Sequence, residues 1–511
     1  MAPVPDRETQ SSAHFAPKVM KKAPLSVTLV TLAAYALGGP AHAQVVKVDG
    51  GSVSGKAWNG STLFRAIPFA APPVADLRWK PPQPVRPWTG IRASLDQPAA
   101  CLQNDYGWNH SDFVIGNEDC LTLDVRTPSL VGKLPVLVWI HGGSNRAGGP
   151  NDIVLSDVGR QVVIVGVRYR LGIFGFLSHR KLTAEQGGSG NYGLMDQIAA
   201  LRWVQRNIAR FGGDPNNVTI AGESAGSQDV SLLLTAPAAR PLFQRAIMES
   251  GTPGFGLPFR PIAQAEQIGD QADALLGTGG DLEKLRAASP AALLHVDRQL
   301  HDDALEADDY LWLRTTIDGH VIAHSPAELL REAPAKPVII GSNRIELDLP
   351  GDRPHRDAFV AKAFGANALK ARAYYRLDGP DPTEDPRFGN RNQQIATDVT
   401  FRCPAARLAT IMAGKGAAVW QYEFDAAPNR GKTSHAAEIP YAFGDSRFGT
   451  TGLALKPYWI NFIRTGDPNG AGLPQWPRFT TAQPLHALFS DSGVAMEGPV
   501  HAEACSWMER L

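Results

Sequence analysis

Five short apolar runs punctuate the chain: Leu134–Ile140, Gln161–Val167, Val218–Ala221, Pro337–Gly341 and Ala417–Phe424. Each has the length of a strand and is nearly unbroken, without the alternation of a strand that has one wet face. Unbroken runs rich in Val and Ile suit strands covered on both sides. Between the second and third runs, Leu194, Ile198, Leu201, Val204, Ile208 and Phe211 recur every three or four residues. That period marks one apolar face of a helix, which Gly212-Gly213-Asp214-Pro215 ends. Strands alternating with helices predict an α/β fold, a large and mostly parallel sheet with helices on both faces.

The N-terminus follows another pattern. Lys18, Lys21 and Lys22 precede a short apolar run, Leu25 to Leu37. Gly38-Gly39-Pro40 breaks that run, and Ala41-His42-Ala43 has the form of an A-x-A cleavage site. A membrane anchor needs about 18–20 apolar residues, so this segment reads as a secretory signal. Residues 1–43 are therefore expected to be an N-terminal extension and leader, cleaved near Ala43-Gln44, and residues 44–511 one domain. Met20 competes with Met1 as the start, because residues 1–19 are polar. With no other long apolar span, the expectation is a secreted or periplasmic protein of bacterial type without a stable membrane anchor.

Lys+Arg and Asp+Glu balance at 50 each, which leaves no electrostatic footprint for nucleic acid. The four cysteines allow three pairings, and an oxidising compartment favours bridges over free thiols. Neither His-Glu-x-x-His nor a pair of Cys-x-x-Cys motifs is present, so neither a metal nor another cofactor is expected.

The chemistry centres on Val218-Thr219-Ile220-Ala221-Gly222-Glu223-Ser224-Ala225-Gly226. Here Gly-x-Ser-x-Gly follows a β-branched run and precedes a helix-like stretch. A serine on such a strand-to-helix turn exposes its hydroxyl above the sheet, and the amides behind it can stabilise an oxyanion. Ser224 is thus a candidate nucleophile for acyl transfer; the rival reading is a serine that merely caps a helix. An activated serine also needs a base, an orienting acid and oxyanion donors.

At this point the chain resembles the type-B carboxylesterase family, which includes the cholinesterases. The matching stretches are Phe64 to Lys80, Glu118 to Pro128, Val138 to Gly143 and Gly190 to Gly226. His435 to Phe443 and Asn461 to Asn469 extend the match. The resemblance implies an α/β-hydrolase fold and a serine carboxylesterase. Its triad would be Ser224, His435 in H-x-x-E-I-P as base, and Glu346 as acid, with Asp348 as the rival acid. It places the oxyanion donors at the N–H groups of Gly143, Ser144 and Ala225, and gives Ser250 a supporting role. His141 would shape the oxyanion loop rather than move protons. The family pattern pairs Cys101 with Cys120 and Cys403 with Cys505.

Gly142-Gly143-Ser144-Asn145 stands where the family usually has Gly-Gly-Gly-aromatic. Asn145 is therefore expected to make the substrate environment more polar, and Asn145, Arg146 and Arg344 to favour anionic or polyhydroxylated esters. Trp108 lies within the first disulfide loop but is placed by no motif. The partner is a small-molecule ester, and the sequence leaves the oligomeric state open. Alternative readings are a lipase, a specialised ester, amide or carbamate hydrolase, and a non-catalytic binding module.

Overall fold

A computed structural model of the chain describes residues 44–256, 258–302, 315–426, 432–444 and 455–508. All of these belong to the unit Ala43–Leu511. The expected leader and its cleavage site lie outside the described residues.

Twelve strands form the path of one sheet: β1 (Gln44–Val48), β2 (Gly51–Trp58), β3 (Ser61–Pro68), β4 (Thr122–Thr127), β5 (Leu134–Ile140), β6 (Val163–Val167), β7 (Gly213–Glu223), β8 (Arg245–Glu249), β9 (Val338–Asn343), β10 (Val419–Asp425), β11 (His486–Ser490) and β12 (Gly493–Glu497). Their spatial order is β1-β2-β3-β4-β6-β5-β7-β8-β9-β10-β11-β12, and Ile91–Ala93 adds a short strand beside β2. From β6 to β11 every pairing is parallel. The flanking pairs along the path are antiparallel, while Ile91–Ala93 runs parallel to β2.

All five apolar runs fall in the parallel block. Their lack of alternation has a direct cause. Along β5, Val136, Val138 and Ile140 enter one core, while Leu137 and Trp139 enter another. Neither face is wet, so each position favours an apolar side chain, worth about 1.5–3 kcal/mol when fully buried. The first core is roofed by helix Tyr192–Asn207, whose Leu194, Ile198, Leu201 and Val204 all pack into it. A short 3₁₀ turn carries Ile208 and Phe211 into the same core. Gly212 then ends the helical run at φ 78°, where a Cβ would lie 2.1 Å from Ser129 O. Helix Leu455–Thr465 seals the opposite face with Tyr458, Trp459, Phe462 and Ile463.

Two disulfides are formed. Cys101 joins Cys120 with Cα atoms 5.0 Å apart, and Cys403 joins Cys505 with Cα atoms 4.9 Å apart. Among the described residues, no helix is long and apolar enough to cross a membrane.

Candidate active site

The groups singled out in the sequence gather beyond the carboxyl ends of β5, β7, β8 and β9, the rim where open parallel sheets present their ligand sites. β7 ends at Glu223, and helix Ala225–Thr235 starts two residues later. Ser224 lies between them at φ 55°, ψ −125°, in a region that few non-glycine residues occupy. The two flanking glycines explain how the turn fits. A Cβ on Gly222 would lie 2.5 Å from Gly226 C, and one on Gly226 would lie 2.1 Å from Ile140 O. The Ser224 N–H donates to Glu249 O at 2.9 Å, which fixes the turn to β8.

His435 and Glu346 are brought together. The Nδ1 atom of His435 lies 2.6 Å from Glu346 Oε2, and the His435 N–H donates to Glu346 O at 3.1 Å. Glu346 is itself fixed. Its Oε1 accepts the Asn343 N–H at 2.7 Å, and its own N–H donates to Thr397 Oγ1 at 3.1 Å. The rival acid, Asp348, is exposed and accepts from Asn390 Nδ2 at 3.3 Å.

The other imidazole nitrogen has an acidic neighbour that the sequence did not suggest. His435 Nε2 is 3.2 Å from Glu223 Oε1, and among the described residues no hydrogen bond joins it to the Ser224 hydroxyl. Burial on its own would lower the imidazole pKa, but the carboxylates of Glu223 and Glu346 outweigh it and lift His435 to about 10. Glu223 is raised to about 8, first by burial and then by Glu438 and Glu346, against the pull of His435. Glu438 is raised to about 7 by burial and by Glu346, and burial pushes Glu249 well above the carboxylate range. These acids were missed at the sequence level, although Glu223 lies inside the serine motif and Glu438 inside H-x-x-E.

Ser250 sits just past β8 at φ 51°, fully buried. Its hydroxyl donates to Glu438 Oε1 at 3.3 Å and accepts from Asn343 Nδ2 at 3.3 Å. It therefore reaches Glu346 only through Asn343, a residue that sequence reasoning passed over.

The loop after β5 brings Gly142 against the serine: a Cβ there would lie 2.6 Å from Glu223 O and 3.1 Å from Ser224 Cβ. Among the described residues, no acceptor takes the N–H groups of Gly143, Ser144 or Ala225. His141 lies inside the loop, with its ring stacked on Tyr169 at 4.5 Å and its Nδ1 2.9 Å from Gly142 O. Burial lowers its pKa to about 4, so it is neutral near pH 7. Trp108 is 65% exposed, with its ring edge 2.9 Å from where a Cβ of Gly143 would be. The Phe401 ring lies 5.1 Å from that of His435.

The expected polar, cationic mouth is not found. Asn145 is buried and turned inward, where its amide donates to Asp229 Oδ1 at 3.1 Å. Arg146 is buried, with Nη2 3.4 Å from Asp297 Oδ2 and its guanidinium 5.3 Å from the Tyr106 ring centroid. Arg344 is fully buried and paired with Glu423, Asp425 and Glu497. Each side chain answers a buried charge or amide, which is why none faces solvent at the rim. Glu423 and Glu497 also lie near His486 in a cluster of metal-ligating types. The Arg344 guanidinium already supplies the positive charge there.

A family model described as the carboxylesterase family matches residues 42–508. Carboxylesterase 1D of Mus musculus is 33% identical over 528 residues, covering 89% of this chain and 91% of the mouse protein. Carboxylesterase 1E of Rattus norvegicus is 34% identical over 523 residues, covering 89% and 92%. Among solved structures, a PNB esterase is 30% identical with a TM-score of 0.79, covering 91% of this chain and 99% of that one. A carboxylesterase of Geobacillus stearothermophilus is 28% identical with a TM-score of 0.77, covering 91% and 100%. A strained serine turn at the rim of a mostly parallel sheet and relatives matched over nearly their whole length lead to one conclusion: the chain belongs to the carboxylesterase family and is a carboxylic ester hydrolase with the α/β-hydrolase fold.

Proposed function

We propose that the protein is a serine carboxylesterase acting through an acyl-enzyme, with Ser224, His435 and Glu346 as its triad. The observation that carries this reading is the 2.6 Å bond between His435 Nδ1 and Glu346 Oε2, together with the strained backbone of Ser224 at the end of β7. Ser224 Oγ attacks the ester carbonyl while His435 Nε2 takes its proton. The carbonyl oxygen becomes an oxyanion held by the N–H groups of Gly143, Ser144 and Ala225. Each such donor is typically worth ~2.7–4 kcal/mol in the transition state. Glu346 holds the imidazole in one tautomer and stabilises the imidazolium without taking the proton. The intermediate collapses, the C–O bond to the alcohol breaks, and His435 returns the proton to the leaving oxygen. Water then attacks the acyl-enzyme by the same steps, releasing the acid and restoring Ser224.

In the resting arrangement His435 Nε2 lies 3.2 Å from Glu223 Oε1, and its bond to the Ser224 hydroxyl is one that substrate binding completes. Catalytic hydrogen bonds commonly tighten only in the substrate complex. Replacing Ser224 by Ala is expected to reduce hydrolysis of p-nitrophenyl acetate about 10⁴-fold or more. Retention of most of the activity would sink the proposal.

A further inference from the structure

The oxyanion loop has an unusual backbone. Gly143, Ser144 and Asn145 follow one another at φ 96°, 57° and 57°. Glycine adopts such angles freely; serine and asparagine do so at a cost, and strained residues persist only where their surroundings over-determine them. The surroundings of Asn145 do so. Its Nδ2 donates to Asp229 Oδ1 at 3.1 Å, and its backbone oxygen accepts the Gly172 N–H at 2.8 Å. The Tyr169 hydroxyl is within hydrogen-bond reach of both His141 O at 2.7 Å and Asn145 Oδ1 at 3.1 Å. The second oxygen of Asp229 accepts Gln197 Nε2 at 2.6 Å. Asn145 is 3% exposed, and Asp229, Gln197 and Tyr169 are fully buried.

Asp229 stands one turn into the helix that begins at Ala225. Among the described residues no arginine or lysine forms an ion pair with it, and burial lifts its carboxyl to about 7. An acid held beneath the nucleophile turn by amides alone is costly compared with an apolar side chain of similar size. It also joins two segments that must keep register: the loop with the Gly143 and Ser144 N–H groups, and the helix with the Ala225 N–H.

We propose that Asn145 and Asp229 are positioning residues whose side-chain bond clamps the 143–145 loop to the helix after Ser224, holding the three N–H donors in register for the ester oxygen. This rests on the acyl-transfer reading given above. Oxyanion donors act only at about 2.7–3.1 Å from the developing charge, and a misplacement of ~1 Å can cost 10²-fold in rate.

Asn145→Gly tests the clamp, because glycine keeps the left-handed conformation and removes only the amide. With p-nitrophenyl acetate, kcat should fall about 10–100-fold while KM changes less than about threefold. The inhibition constant of phenyl trifluoromethyl ketone, whose adduct places an oxyanion in the same position, should rise by the same factor. Asp229→Asn should give a smaller loss of the same kind, and it carries the test if Asn145→Gly does not fold. A lowered thermal midpoint with kcat and ketone inhibition at wild-type values would overturn the proposal, since a merely structural contact predicts that result. A fully active Asn145→Gly beside an inactive Ser224→Ala would refute the clamp alone; an active Ser224→Ala would refute the acyl-transfer reading on which it rests.

Discussion

His435 lies between two carboxylates, 2.6 Å from Glu346 and 3.2 Å from Glu223, and their combined charge favours the imidazolium. A base must be neutral to accept a proton, so kcat/KM should climb as pH rises through the His435 pKa. Glu223→Gln preserves shape and removes one of the two charges. The acid limb of the pH profile should then move to lower pH by about 1–3 pH units. An unmoved limb would show that Glu223 does not hold the imidazole. At this scale the sequence was informative about identity and silent about direction. The resemblance offered Ser224, His435 and Glu346 as candidates, but nothing in it foretold the inward turn of Asn145. That turn depends on Asp229 and Tyr169, which are 84 and 24 residues away. Arg146 and Arg344 misled for the same reason: their buried partners lie on other elements.

At the scale of elements, the strands covered on both faces were legible and the edges were not. β1 and β2 have burial that alternates or is partial, so they offer no continuous apolar run to read. The turn carrying Glu346 leans on a contact equally invisible in sequence. A π-helical turn, Asp398–Arg402, points Arg402 at this turn. Arg402 donates to Arg344 O at 2.8 Å and to Glu423 Oε1 at 3.0 Å, and pairs with Asp398. Asp398 and Glu423 are buried, and Arg402 draws both pKa values down against the effect of burial. Arg402→Met would leave both carboxylates without that partner. The expected loss is about 3–5 kcal/mol, measured by urea denaturation. A loss below about 1 kcal/mol would mean that the clamp holds little.

Over the whole molecule, the buried acids near the nucleophile set a pH trend in stability. Glu438 and Glu223 keep their protons in the folded state up to about 7 and about 8, whereas an unfolded chain releases them near 4.5. As pH rises through that window the unfolded state gains relative to the folded one. His435 adds to the trend: its stabilising effect is complete below about 6.5 and is lost as pH rises through about 10. His141 acts on the acid side. It is neutral in the fold down to about 4, so its stabilising effect is lost as pH falls from 6.5 to 4. The denaturation midpoint should therefore be higher at pH 6 than at pH 9, and a midpoint that rises across this range would contradict the burial of these acids. The α/β alternation and the family-specific stretches made the architecture readable in advance. The acid cluster was not, because its members come from separate elements that meet only in the fold.

In the proposed reaction Ser224 is the nucleophile and His435 activates it. The decisive experiment treats the protein with a p-nitrophenyl alkylphosphonate and follows both released nitrophenol and the modified peptide by mass spectrometry. One equivalent should be released per chain, with the phosphonyl group on the peptide containing Ser224 and activity lost in step with labelling. Labelling of another residue, or a Ser224→Ala protein that is labelled and inactivated to the same extent, would contradict that role of Ser224.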